Sequence, residues 1–295
     1  MDDLQRDAES LLPKTGLSDG IARRDFIKVA LGTGFAAAAM PVVAQNVITT
    51  DSTGLIAGTI DVEVDGQRVP VYRAQPEGKL NPPVILVVSE IFGVHEHIAD
   101  VARRFAKLGY MALAPDLFVR QGDPQKVATI AELQRDIISR TPDAQVMADL
   151  DAVVAWAAAH GGNTGKLGIT GFCWGGRITW LYAAHNPQIK AGVAWYGRLV
   201  GTSSAMTPRQ AIDIAGSLKA PVLGLYGLKD GGIPQDSIAA MQAALAKGSS
   251  GAQFVIYPDS GHAFHADYRP SYVQADARDG WQRLQSWFKQ HGVAP

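Results

Sequence analysis

Gly171-Phe172-Cys173-Trp174-Gly175-Gly176 is the stretch from which the fold can be read. The short apolar run Leu167 to Thr170 precedes it, and Arg177 to Ala184, which reads as a helix, follows it. Cys173 therefore stands where a buried strand turns sharply into a helix, the G-x-Nu-x-G pattern of a nucleophile elbow with cysteine as the nucleophile. A side chain at the apex of such a turn needs a strained backbone. Its flanks must be nearly bare for strand and helix to close on each other, which glycine permits. The helix that starts there aims free N–H groups and its positive dipole end at the nucleophile, favouring a thiolate and then an oxyanion. The bland alternative is a structural cysteine buried in a Gly-rich turn, so the reading depends on partners elsewhere in the chain.

The chain has 295 residues, 47% hydrophobic and 19% charged, with a formal net charge of −1. That describes a core-forming globular protein of one or two domains. It offers no field for nucleic acid or an anionic membrane. A single cysteine excludes an intramolecular disulfide and any cysteine-rich metal site. No metal or organic cofactor is implied.

Residues 1–44 read as an export signal: a polar lead ends in Arg23-Arg24-Asp25-Phe26-Ile27-Lys28, a weakly apolar Ala/Gly-rich run reaches Val43, and Val42-Val43-Ala44 offers small residues for cleavage. The arginine pair resembles the twin-arginine signal, implying a periplasmic address. An uncleaved inner-membrane anchor is the alternative, although the run is short of the roughly 20 apolar residues a comfortable span needs.

From residue 45 to 295 the pattern is that of one α/β domain. Leu55 to Val64 and Arg68 to Arg73 flank an Asp65-Gly66 turn and read as a hairpin. Pro83 to Val88 is a continuous apolar run suited to a central strand covered on both faces. Helical spacing over Ile98 to Leu108, Gln125 to Arg140 and a helix opening at Thr141-Pro142 alternates with strands at Tyr110 to Ala114 and at the elbow. Strands at Ala191 to Trp195, Val222 to Tyr226 and Gln253 to Tyr257 follow, with helices from Gln235 to Ala246 and from about Tyr272 to Gln290. Alternation of this kind implies parallel pairing through right-handed crossovers, a doubly wound, mostly parallel sheet with helices on both faces.

In such sheets reacting groups collect at the carboxyl ends of strands. Asp230 follows the strand Val222 to Tyr226, and His262 follows Gln253 to Tyr257. The order nucleophile, acid, histidine is that of α/β-hydrolases, so Cys173, Asp230 and His262 are the expected triad. Asp259 is a rival to orient the histidine. His95 and His97, two apart on a helix, would point away from each other and make a poor metal pair. His265 is a loop histidine without an assigned partner, while His160, His185 and His291 read as helix-end or surface residues. Glu90 ends the most apolar strand, where a carboxylate is costly unless paired or functional. The amides of Ile91 and Trp174 are the expected arms of an oxyanion hole.

Glu90-Ile91-Phe92-Gly93, Pro115-Asp116-Leu117-Phe118, the elbow, Lys229-Asp230 and Gly261-His262-Ala263-Phe264 together resemble the dienelactone hydrolase family of α/β-hydrolases, over a span from about Ala57 to the C-terminus. The resemblance implies that Glu90 helps deprotonate Cys173 once substrate arrives and that Arg120 binds a substrate carboxylate. It also implies an ester or lactone substrate. A second arginine of the family is replaced by Ala266, with Arg269 nearby in sequence as a substitute. The expected chemistry is acyl transfer to water through a thioester on Cys173. Two other readings keep the fold: a non-catalytic periplasmic binding or scaffold module, and a redox thiol, which lacks a second cysteine to resolve it.

Overall fold

The computed structural model describes residues 47–295. The expected export signal at 1–44 lies outside the described residues. The strands are β1 (Leu55–Val64), β2 (Gln67–Pro76), β3 (Pro83–Val88), β4 (Met111–Pro115), β5 (Asn163–Phe172), β6 (Ile189–Trp195), β7 (Val222–Gly227) and β8 (Gln253–Tyr257). They form one sheet in the order β1-β2-β4-β3-β5-β6-β7-β8. β1 and β2 pair antiparallel, as do β2 and β4, and every pair from β4 through β3 to β8 is parallel. The hairpin turn has positive φ at both Asp65 (51°) and Gly66 (78°), the backbone that an Asp-Gly turn adopts to match strand twist.

Helices cover the faces: α1 (Glu96–Lys107), α2 (Ile130–Asp136), α3 (Asp143–Ala159), α4 (Trp174–His185), α5 (Ala211–Ile214), α6 (Gln235–Leu245) and α7 (Gln274–Gln290). With helices on both sides, β3 has no wet face, and Val84 through Val88 are wholly buried. Each such side chain contributes roughly 1.5–3 kcal/mol of transfer free energy, so the strand that ends at Glu90 is anchored by its own hydrophobicity.

Two local expectations are corrected. The stretch from 125 to 140 is not one helix but a 3₁₀ turn (Pro124–Lys126), α2 and a second 3₁₀ turn (Ile138–Arg140). Thr129 starts α2 with a capping box closed by Glu132, and a cap in mid-segment interrupts the periodic pattern. Further on, α3 opens with Pro142 in the cap position and Asp143 as its first residue. Thr141 instead donates its hydroxyl to Ile137 O at 2.9 Å, and the residue before a proline is sterically kept out of helical backbone.

Candidate active site

Cys173 lies between β5 and α4 with φ 54° and ψ −115°, a conformation that costs a non-glycine residue about 1–3 kcal/mol. Close packing holds it there. A Cβ on Gly171 would come within 2.1 Å of Gly175 O, and one on Gly175 within 2.4 Å of Val88 O. The elbow is therefore pressed both against itself and against the end of β3. Cys173 N–H donates to Trp195 O at 3.0 Å, tying the elbow to β6. The side chain is half-buried.

Asp230 follows β7 and His262 follows β8, and their side chains meet: His262 Nδ1 lies 2.7 Å from Asp230 Oδ2. A carboxylate can only accept, so Nδ1 carries a proton and Nε2 is the nitrogen left for the proton transfer. Asp230 Oδ1 accepts from Gly232 N at 2.9 Å, which fixes the carboxylate. Burial disfavours the charged imidazole, but the Asp230 charge, the Cys173 sulfur and the hydrogen bonds to both push His262 well above its ordinary value. Nε2 is buried without a hydrogen bond of ordinary geometry. Cys173 is among the groups that raise His262, so the sulfur stands beside the ring. Asp259, the rival acid, pairs instead with Lys229 at 2.7 Å on the exposed surface.

Glu90 is buried and doubly held through one oxygen. Tyr268 donates its hydroxyl to Oε2 at 2.6 Å, and His95 Nε2 lies 3.3 Å from the same atom. Oε1 is buried without a partner. Burial works against ionisation, yet the His95 bond and the charges of His95, His97 and Arg269 outweigh it and bring Glu90 down to about 2. Ala266 is buried and contributes no charge. Tyr268, His95 and the charge of Arg269 steady Glu90 in its place.

Arg120 is a correction. Its guanidinium forks onto the fully buried Asp149 carboxylate at 2.7 and 2.9 Å and reaches Val64 O at 3.5 Å. Bidentate geometry of this kind uses the donors that a substrate carboxylate would need. The structure thus assigns Arg120 to a structural ion pair. The histidine spacing argument is corrected too. His95 caps α1 in extended conformation rather than lying on the helix, so its ring stacks with that of His97 at 6.1 Å. Among the described residues no His, Cys, Asp or Glu group is arranged to hold a metal, and no helix is long and apolar enough to cross a membrane.

Sequence reasoning missed Tyr196, Tyr268 and Asp267. Tyr196 had a signal, since it directly follows β6, the same strand-end position that exposed Asp230 and His262. Tyr268 and Asp267 had none, lying beyond a loop whose path only the fold determines. His265 is buried against Phe172 and Trp195, with ring centroids at 5.0 and 4.5 Å. Burial and the neighbouring His97 and Arg104 charges hold it well below its ordinary value, a neutral core ring.

A mostly parallel eight-stranded sheet with a strained strand-to-helix elbow, and acid and histidine on later strand ends, defines an α/β-hydrolase fold. Comparison with known proteins narrows the class. Residues 69–292 match the model of the dienelactone hydrolase family. A protein of Methylorubrum extorquens that bears the provisional name carboxymethylenebutenolidase is 57% identical over 98% of this chain and 98% of its own. An Escherichia coli K12 protein of the same provisional name is 53% identical over 88% of this chain and 96% of its own. The crystal structure of a provisionally named dienelactone hydrolase from Klebsiella pneumoniae has 55% identity and a TM-score of 0.79, covering 80% of this chain and 99% of that one. The chain belongs to the dienelactone hydrolase family, and it is a hydrolase acting on lactones or esters.

Proposed function

We infer that the protein cleaves a carboxylic ester or lactone through a Cys173-His262-Asp230 triad and a thioester on Cys173. The observation that carries this reading is the His262–Asp230 pair at 2.7 Å with its second nitrogen beside the sulfur at the elbow. The directions of two shifts favour His262 as the base. His262 lies well above its ordinary value and Glu90 is held at about 2, so the thiol proton goes to His262 and the family-implied transfer to Glu90 is strongly uphill. Glu90 then acts as a fixed anionic group beside the nucleophile. The thiolate attacks the carbonyl, and the amides of Ile91 and Trp174 receive the oxyanion. Trp174 N–H lies in the first turn of α4, where no helix carbonyl can take it, and packing of Gly175 on Val88 brings it toward the end of β3. The imidazolium protonates the leaving alkoxide, and the neutral ring activates the water that frees the acid.

The small molecule is the only partner this reading needs; a periplasmic location through residues 1–44 is part of it. Hydrolysis of a small activated lactone by wild type and Cys173→Ala, with mass analysis of quenched enzyme, is the test. A mass increase equal to the acyl group on wild type, and a rate loss of on the order of 10³-fold or more in the variant, are expected. Equal rates would remove the covalent role.

A further inference from the structure

Tyr196 leaves β6 with φ 38°, in the left-handed region where a non-glycine residue is held at a cost. Register pairs Phe172 of β5 with Trp195 of β6, so Cys173 and Tyr196 occupy the next rung of the two strands. Both depart from strand geometry at that level, Cys173 with φ 54°. Neighbouring strands run about 4.8 Å apart. Two strained residues therefore sit side by side at the elbow.

The surroundings fix Tyr196 rather than relieve it. Its N–H donates to Leu225 O at 2.9 Å, and Tyr226 donates its hydroxyl to Gly197 O at 2.9 Å. Gly197 packs so closely on α4 that a Cβ there would come within 2.3 Å of Gly176 C. The Tyr196 ring lies 5.1 Å from that of His262 and 5.3 Å from Phe264. Its hydroxyl is buried and without a partner, a second cost of about 1–3 kcal/mol at the same residue. A fold that keeps both beside its nucleophile holds the hydroxyl for something that forms later.

The charged groups around that hydroxyl are Glu90, Cys173, Arg269 and Asp267, with the His262–Asp230 pair behind the ring. Burial first, then the negative charges of Glu90 and Cys173, drive the phenol well above its ordinary value. Tyr196 thus keeps its proton throughout the range in which a thiol ionises, and it can serve a neighbouring anion only as a donor.

We propose that Tyr196 is a catalytic hydroxyl of this site, donating a hydrogen bond to the Cys173 sulfur once the thiol has given its proton to His262. The S–H bond breaks, an Nε2–H bond forms, and the Tyr196 O–H bond stays intact while it turns toward the new thiolate. The inference rests on Cys173 as the nucleophile.

The test is Tyr196→Phe in the full chain, reading the rate of Cys173 alkylation by iodoacetamide against pH. A hydrogen bond to a charged group contributes on the order of 10–100-fold, so the alkylation midpoint should rise by roughly 1–2 pH units. Because the hydroxyl bonds to no group among the described residues, Tm should be unchanged or raised. An unchanged midpoint overturns the proposal, and so does a shift accompanied by a clear drop in Tm, which would mark a structural role. The thioester reading fails separately: absence of an acyl adduct on wild type removes it whatever the midpoint does, and an unchanged midpoint with the adduct present removes Tyr196 alone.

Discussion

Among the described residues two buried histidine–carboxylate pairs join through Nδ1, and they differ in what else holds the acid. His262 meets Asp230 through Nδ1 at 2.7 Å, and His97 meets Asp267 through Nδ1 at 2.9 Å. In both rings Nε2 is buried without a hydrogen bond of ordinary geometry. The difference lies in the acid. Asp230 accepts from the Gly232 amide besides its histidine, so its charge is directed at His262. Asp267 also receives Arg104 at 2.9 Å and the Ile48 amide at 3.1 Å, and it lies at about 2 because His97 and Arg104 outweigh the burial that opposes ionisation. Asp267 thus divides its charge between an imidazole and a guanidinium. The two pairs share one hydrogen-bond geometry and differ in the charge around the acid.

Exchanging each acid for its amide tests this directly. Asp230→Asn is expected to lower kcat/KM by on the order of 10³–10⁴-fold, because the amide favours the wrong tautomer, with a smaller change in stability. Asp267→Asn should leave kcat/KM within about tenfold and cost about 3 kcal/mol, since Arg104 loses a buried partner, lowering Tm by roughly 6–12 °C. The pH dependences have opposite signs. Asp267 is held below its ordinary 3.8, so its stabilisation is complete above that value and is lost as pH falls toward about 2; the asparagine variant should lose that part of the acid slope. His262 is raised, so its stabilisation is present below its ordinary 6.5 and disappears as pH climbs through the folded value. Thermal unfolding followed from pH 2 to 9 separates the two, and a large activity loss in Asp267→Asn would erase the distinction.

Arg120 extends the same contrast to a cation. Its donors are engaged by Asp149, a carboxylate that burial pushes above its ordinary value despite the arginine. Arg120→Ala should cost about 2 kcal/mol, the side chain being 22% exposed and the pair accordingly screened. The ratio of kcat/KM for an anionic and a neutral lactone should stay the same within about twofold. Selective loss of the anionic substrate would return Arg120 to the pocket.

The strands, the elbow and the His262–Asp230 pair were legible because each is written locally. β3 is an uninterrupted apolar run, the elbow has its glycines, and Asp230 and His262 each lie shortly after a strand. Arg120 and Asp149 were illegible as a pair because a bidentate fork depends on how α3 lies across the sheet, which no spacing encodes. The histidines at 95 and 97 were misread by a helical rule applied one residue too early, since His95 is the extended cap and not part of α1. Glu90 was visible as an anomaly at the end of an apolar strand. Its holders, Tyr268 and His95, come from a distant loop and a helix cap, so only the fold identifies them.

The smallest expected effect belongs to Asp259, and it bears on the same contrast from outside the site. Asp259 is as close in sequence to His262 as an orienting acid could be, and it makes a 2.7 Å contact as short as that of Asp230. Its partner is Lys229, and both side chains are largely exposed, at 80% and 58%. Water screens that pair, and such pairs contribute about 0–1 kcal/mol. Asp259→Ala should therefore leave kcat/KM within about twofold and Tm within roughly 4 °C, and raising the salt concentration should shrink even that difference. The same ionic strength should leave the His262–Asp230 pair untouched, because buried charges lie out of reach of counterions. A tenfold loss in Asp259→Ala would mean that proximity along the chain, and not burial, selects the acid.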